Sequence, residues 1–189
     1  MVGMEKEVKE KGNGNSNYET TEKIIKNLEF RTEAKEEDQG VVRGIVTSSG
    51  FFSEEEVQIA VDLVCERLKN GESSGYHFLF AELNGKTIGY TCYGRIPGTV
   101  CSYDLYWIAV REEYRRKGIG RILLERTEEL ISSMGGCRIY IETSSRRLYD
   151  STRMFYKRCM YLEEAILKDF YSPGDDKIIY VKALKKYLS

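Results

Sequence analysis

The sequence predicts a mixed α/β (α+β) fold in one domain, and three observations predict it. Strand-like runs follow one another in mid-chain with hairpin turns between them, so neighbouring strands there run antiparallel. Segments of helical spacing stand before and after that series rather than between its members. A length of 189 residues, 41% apolar and 31% charged, suits one soluble domain with a full-sized core. The order of elements excludes a repeat of βαβ units.

In chain order, residues 1–26 mix charges with a Gly/Asn/Ser stretch and read as a flexible tail, leaving 27–189 as the domain. A first strand is expected at residues 28–31. Val41, Val42, Ile45 and Val46 give residues 36–47 a helical spacing. Ser53 with Glu56 three residues on forms a capping box, and Val57, Ala60, Val61, Val64, Cys65 and Leu68 line one side of the helix behind it, which Gly71 stops. Strands are expected at 76–83 and 86–93, joined by the hairpin dipeptide Asn84-Gly85. Another strand is expected at 101–110, after the turn at Pro97-Gly98. A helix at 119–134 places Ile119, Ile122, Leu123, Leu130, Ile131 and Met134 on one side. A strand at 137–143, a helix at 148–159 and strands at 162–171 and 177–184, with a turn at 173–176, complete the pattern.

Composition narrows the chemistry. Lys+Arg number 29 against 30 Asp+Glu, a net charge of −1, which speaks against a nucleic-acid coat. No apolar run approaches the ~20 residues that span a bilayer, and the first residues lack the apolar centre of a signal peptide. The single His77 and five cysteines without a CxxC pair offer no metal-ligand spacing, so no metal is expected. The cysteines read as reduced and the compartment as cytoplasmic.

Residues 105–131 carry the strongest signal. An apolar strand end is followed by Arg115-Arg116-Lys117-Gly118-Ile119-Gly120 and then by helical spacing. A helix start offers backbone N–H groups without partners and partial positive charge, and glycines allow close approach. A phosphate or pyrophosphate is the natural occupant. The loop has neither the dinucleotide fingerprint GxGxxG nor the P-loop pattern GxxxxGK[ST].

Val110, Arg115, Gly118 and Gly120 resemble the motif of the GNAT superfamily of N-acetyltransferases, a strand ending in Val and then [Q/R]-x-x-G-x-[G/A] opening a long helix. Residues 138–143 resemble that family's next strand. Phe155-Tyr156-Lys157-Arg158-Cys159-Met160-Tyr161 resembles its FYxxxGF segment, with Met160 where glycine is usual. The resemblance runs from about residue 28 to the C-terminus. It implies a GNAT fold: a central, mostly antiparallel sheet of about seven strands flanked by helices and splayed at the strand carrying Val110.

The resemblance also implies acetyl-CoA as cosubstrate. Its pyrophosphate would lie on the N–H groups of Arg116, Lys117, Gly118, Ile119, Gly120 and Arg121, with the side chains of Arg115, Arg116 and Lys117 adding charge. The backbone of Ile108, Ala109 and Val110 would pair with the pantetheine arm. Strict alternation puts Asp104, Tyr106, Ile108 and Val110 on one face of their strand. Asp104 stands where many members carry a catalytic Glu, and Glu142 on the neighbouring strand is the other general-base candidate. Tyr156 matches the family's general acid, and Tyr149, seven residues earlier, shares its helical face. Phe52, Tyr106, Tyr149 and Tyr171 are expected to line the acceptor cleft, and Arg146, Arg147 and Arg153 to form a basic patch at its mouth.

The implied reaction is acetyl transfer from acetyl-CoA to a primary amine by direct attack in a ternary complex, the amine belonging to a small molecule or a protein. A protein lysine or N-terminal acetyltransferase, or a non-catalytic acyl-CoA-binding regulatory module, is the alternative. No nucleic acid or membrane is expected as partner; the sequence leaves the oligomeric state open, a homodimer included.

Overall fold

Residues 21–184 are described by the computed structural model. Among them, strands β1 (Leu28–Arg31), β2 (His77–Leu83), β3 (Lys86–Arg95), β4 (Ser102–Val110), β5 (Arg138–Ser144), β6 (Leu162–Ser172) and β7 (Asp175–Ala183) form one sheet in the order β1-β2-β3-β4-β5-β7-β6. Only β4 and β5 run parallel. Helices α1 (Asp38–Ser48), α2 (Glu54–Asn70), α3 (Ile119–Ser133) and α4 (Asp150–Arg158) pack on the sheet. Residues 1–20, the bulk of the expected tail, lie outside the described residues; residues 21–26 are helical, and Ile24 packs beside Ile119 and Leu123.

The local signals act as their chemistry requires. Asn84 and Gly85 take φ of 52° and 73°, the left-handed pair of a hairpin turn matched to strand twist. Ser53 and Glu56 form a reciprocal capping box at the start of α2. The α1 and α2 stripes bury Val42, Ile45, Val46, Val57, Val61 and Val64 against Phe78, Phe80, Tyr90 and Cys92. The other face of the sheet receives α3 and α4. In α3 the buried stripe includes Leu124 and Thr127, whereas Met134 is exposed. Thr127 is compatible with burial because its hydroxyl donates to Leu123 O and meets Thr91 Oγ1 at 2.8 Å.

Two irregularities of β4 shape the molecule. Cys92 pairs with Trp107 but Tyr93 pairs with Leu105, so Tyr106 is an extra residue, a β-bulge. The expected single face for Asp104, Tyr106, Ile108 and Val110 is therefore corrected. Tyr103 and Leu105 pack on the α3 side before the bulge, and Ile108 and Val110 pack there after it. Asp104 and Tyr106 face away from α3, as do Trp107 and Ala109 beyond the bulge. Glycine at Gly94 permits this, since a Cβ there would stand 2.4 Å from Gly75 O and 3.1 Å from the Tyr106 ring.

The second irregularity is the partnership with β5. The two strands pair only over Ser102–Asp104 with Arg138–Tyr140. From Leu105 onward β4 has β3 alone beside it, while β5 continues along β7 to Ser144. At the closed end of this gap Cys101 and Cys137 form a disulfide, with Cα atoms 5.3 Å apart. This corrects the reading of all five cysteines as reduced: Cys65, Cys92 and Cys159 are free, but the strand pairing brings the two sulfurs together. The reduced-thiol argument for a cytoplasmic location fails for this pair. No described helix is long and apolar enough to cross a membrane.

Candidate active site

The gap between β4 and β5 opens into a cleft of about 590 Å³. Its walls come from the segment joining α1 to α2, from the bulged half of β4, from the end of β5, from α4 and from the β6–β7 hairpin.

The basic glycine loop lies between β4 and α3. Arg116 has φ of 59° and Gly118 of 81°. Gly118 is the N-cap of α3, and no side chain caps that end. Ile122 N–H makes the first intrahelical bond, to Gly118 O at 3.1 Å, so the N–H groups of Ile119, Gly120 and Arg121 precede the helical ladder. Arg115 lines the cleft, its guanidinium 4.7 Å from the Phe51 ring centroid and 2.5 Å from Glu112 Oε2. Lys117 donates to Glu113 O. Gly120 has room: a Cβ would find Phe155 at 3.8 Å and Val110 at 4.0 Å, ordinary contact. Packing does not demand glycine there, although a helical glycine costs about 1 kcal/mol relative to alanine.

The carboxylates come together from two strands. Asp104 is half-buried, and its pKa is pushed up to about 6, by burial first and then by the charge of Glu142, with Lys177 opposing. Glu142 lines the cleft, and its Oε2 stands 2.6 Å from Lys177 Nζ. Asp104 is not among the lining residues; it faces Tyr106, whose pKa is pushed up to about 12 by burial and by Asp104.

Tyr156, Tyr149, Tyr106, Tyr171 and Phe52 all line the cleft. Tyr156 is buried among Phe155, Tyr161 and Tyr180, and burial holds its phenol protonated well above the usual range. The expected helix at 148–159 divides: Arg147–Tyr149 is a 3-10 turn and α4 begins at Asp150. Tyr149 and Tyr156 nevertheless reach the same cleft. The helix ends in a Schellman motif, with Tyr161 N–H on Tyr156 O and Met160 N–H on Lys157 O. Met160 occupies the left-handed position usual for glycine, at φ of 67° and 72% exposed. A non-glycine residue there costs about 1–2 kcal/mol. Met160→Gly is therefore expected to stabilise the fold by about 1 kcal/mol, read as a melting-temperature rise of ~3 °C.

The expected basic patch separates into individual roles. Arg153 donates to Ser144 O and Arg146 O and pairs with Asp150, closing the chain between β5 and α4. Arg146 pairs with buried Asp175 at 3.1 Å. Asp175 also accepts from Ser144 Oγ at 2.5 Å. Several lining residues were not singled out in the sequence: Asp175 read as a turn residue, Glu56 as a cap, and Trp107 as a strand residue on the wrong side of an unseen bulge. The lone tryptophan, 4.9 Å from the Phe52 ring, was the available signal.

Comparison with known proteins accords with this geometry. A model of the Acetyltransferase (GNAT) family matches residues 43–159. A crystal structure of a GNAT-family protein from Desulfovibrio desulfuricans is 44% identical, with a TM-score of 0.81, covering 82% of this chain and 98% of that one. An uncharacterized N-acetyltransferase of Methanocaldococcus jannaschii is 30% identical over 105 residues, 56% of this chain and 65% of that protein. The N-alpha-acetyltransferase of Sulfurisphaera tokodaii is 28% identical over 130 residues, 63% of this chain and 74% of that protein. The chain belongs to the GNAT family of acetyltransferases.

Proposed function

We propose that this chain transfers an acetyl group from acetyl-CoA to a primary amine by direct attack in a ternary complex. The observation that carries the reading is the parting of β4 from β5 after Asp104, with Arg115 of the basic glycine loop, a carboxylate and a buried phenol all lining the cleft that opens there. The N–H groups of residues 116–121 hold the pyrophosphate, and Arg115, Arg116 and Lys117 add charge. The strandless edge of Ile108, Ala109 and Val110 pairs with the amides of the pantetheine arm and offers an N–H to the thioester oxygen. The thioester supplies an activated acyl group.

Asp104, acting through Glu142 or a water, takes the proton that the amine loses as its nitrogen bonds the acyl carbon. Its raised pKa suits a base working near neutral pH. Tyr156 gives its phenolic proton to the sulfur as the C–S bond breaks; burial keeps that proton in place until then. Phe52, Tyr106, Tyr149 and Tyr171 form the walls that receive the acceptor.

Thiol release from acetyl-CoA, measured across a panel of primary amines, tests the reading. Amine-dependent release with the acetylated amine as product supports transfer. Binding of acetyl-CoA without release for any amine, small or peptidic, makes the chain a binding module instead. Tyr156→Phe is expected to lower kcat by about 100-fold while acetyl-CoA affinity stays within about twofold. Unchanged kcat removes Tyr156 from the acid role.

A further inference from the structure

Strand register lines up charged side chains on one face of the sheet. Asp104 of β4 pairs with Tyr140 of β5. Glu142 stands two residues further along β5 and pairs with Ile179 of β7, and Lys177 stands two residues back along β7. Alternation keeps Tyr140 with Glu142 and Ile179 with Lys177, while Ile139, Ile141, Ile178 and Tyr180 pack on the α3 side. Asp104, Glu142 and Lys177 thus form a diagonal across neighbouring strands. Lys177 Nζ stands 2.6 Å from Glu142 Oε2, and the lysine side chain is only 12% exposed. Its other neighbours are rings, with Nζ 3.6 Å from the Phe170 centroid and 5.7 Å from that of Tyr171. Those rings come from an arch in β6, which leaves the register of β7 between Leu167 and Ser172. Phe170 is 52% exposed and belongs to none of the core clusters; what its ring covers is an ammonium. Asp104 is faced by Tyr106 from its own strand, by Glu142 from β5 and by Lys177 from β7, and its β3 partner Gly94 brings no side chain.

We infer that Lys177 is a positioning residue for the proton-accepting step: it fixes and offsets the charge of Glu142, and so leaves Asp104 free to take the proton of the amine. A sequestered ammonium is costly unless it is paired, and here a carboxylate and aromatic rings pair it. Carboxylates on adjacent strands repel, and without a cation the repulsion falls on Asp104. Lys177 is not among the residues lining the cleft, so it acts through Glu142 and not on the acceptor. The same lysine joins the carboxylates to Tyr171, a wall of the cleft. This inference rests on the acetyl-transfer reading and adds a residue to it.

The test reads the pH dependence of kcat/KM for amine acetylation together with titration of the Asp104 carboxyl by carbon-13 NMR. The NMR signal is assigned by its loss in Asp104→Asn and needs no turnover. Lys177→Met keeps an apolar stem against the rings and removes the charge. Glu142 then acts on Asp104 unopposed. The acid limb near pH ~6 and the NMR midpoint should both move up by roughly half to one pH unit, about a three- to tenfold change in proton affinity. Lys177→Arg keeps the charge and should leave both close to the wild-type values. Glu142→Gln/Lys177→Met removes both charges and should bring both back near pH ~6, a reversal that a merely structural lysine would not give. Should Lys177→Met not fold, Lys177→Gln is measured in its place. An unmoved midpoint in the uncharged variant, or the same shift in Lys177→Arg as in Lys177→Met, overturns the inference. A shifted NMR midpoint with no acetylation of any amine upholds the hold of Lys177 on the carboxylates and overturns the transfer reading instead.

Discussion

Gly120→Glu is expected to abolish acetyl-CoA binding while leaving the fold as stable as before. A Cβ at Gly120 meets Phe155 and Val110 at 3.8 and 4.0 Å, so the helix accepts a β-carbon there in ordinary contact. Replacing glycine inside a helix recovers about 0.5–1 kcal/mol of backbone entropy. An acid in the first turn also interacts favourably with the partial positive charge of the helix start, by about 0.3–1 kcal/mol. That same carboxylate fills the space where a pyrophosphate would lie and repels it. Affinity is expected to fall by at least about 100-fold, ~2.7 kcal/mol, in calorimetry, with an unchanged or higher melting temperature. Retained affinity would move the anion site elsewhere. Gly118 is the poorer probe: at φ of 81° any side chain is strained, and lost binding would then be confounded with lost fold.

Asp104→Asn is expected to give an enzyme that is slower and sturdier. The rate falls by about 100-fold or more, the usual worth of a positioned base. Wild type should lose kcat/KM below pH ~6, where Asp104 takes up a proton, and the variant should lose that limb. The stability effect has the opposite sign. Asp104 has a folded pKa raised above its unfolded value, so its favourable contribution is complete below pH ~4 and is lost as pH rises through about 6. At pH 8 the variant should therefore be more stable than wild type, by roughly 1 kcal/mol because a half-exposed carboxylate is screened by solvent; at pH 4 the difference should vanish. An unaltered pH–rate profile in Asp104→Asn, with the limb lost in Glu142→Gln, would assign the base to Glu142.

The parts of the molecule set by local chemistry were legible in the sequence. The capping box at Ser53 and Glu56, the left-handed turn at Asn84-Gly85 and the glycine loop before α3 each follow from a few adjacent residues. The parts set by encounters between distant segments were not. Alternation along β4 gave no warning of the bulge at Tyr106, because a bulge is a property of the register between β3 and β4 and not of the residues of β4 alone. The disulfide needed the parallel pairing of β4 with β5, a meeting of residues 36 positions apart. Met160 hid the Schellman turn because the expected glycine was absent, yet the backbone takes the glycine conformation all the same. Glu56 was read correctly as a cap and incompletely as nothing more; its place in the cleft depends on where α2 lies over the sheet.

A crystal structure with coenzyme A bound tests the proposed site most directly. The pyrophosphate should lie within hydrogen-bonding distance of the N–H groups of residues 116–121. The pantetheine arm should run along the open edge of Ile108–Val110, and the sulfur should stop in the gap between β4 and β5, within reach of Tyr156 Oη. Coenzyme A bound away from that gap, or lying in it with its sulfur remote from both Tyr156 and Glu142, would contradict the proposed chemistry.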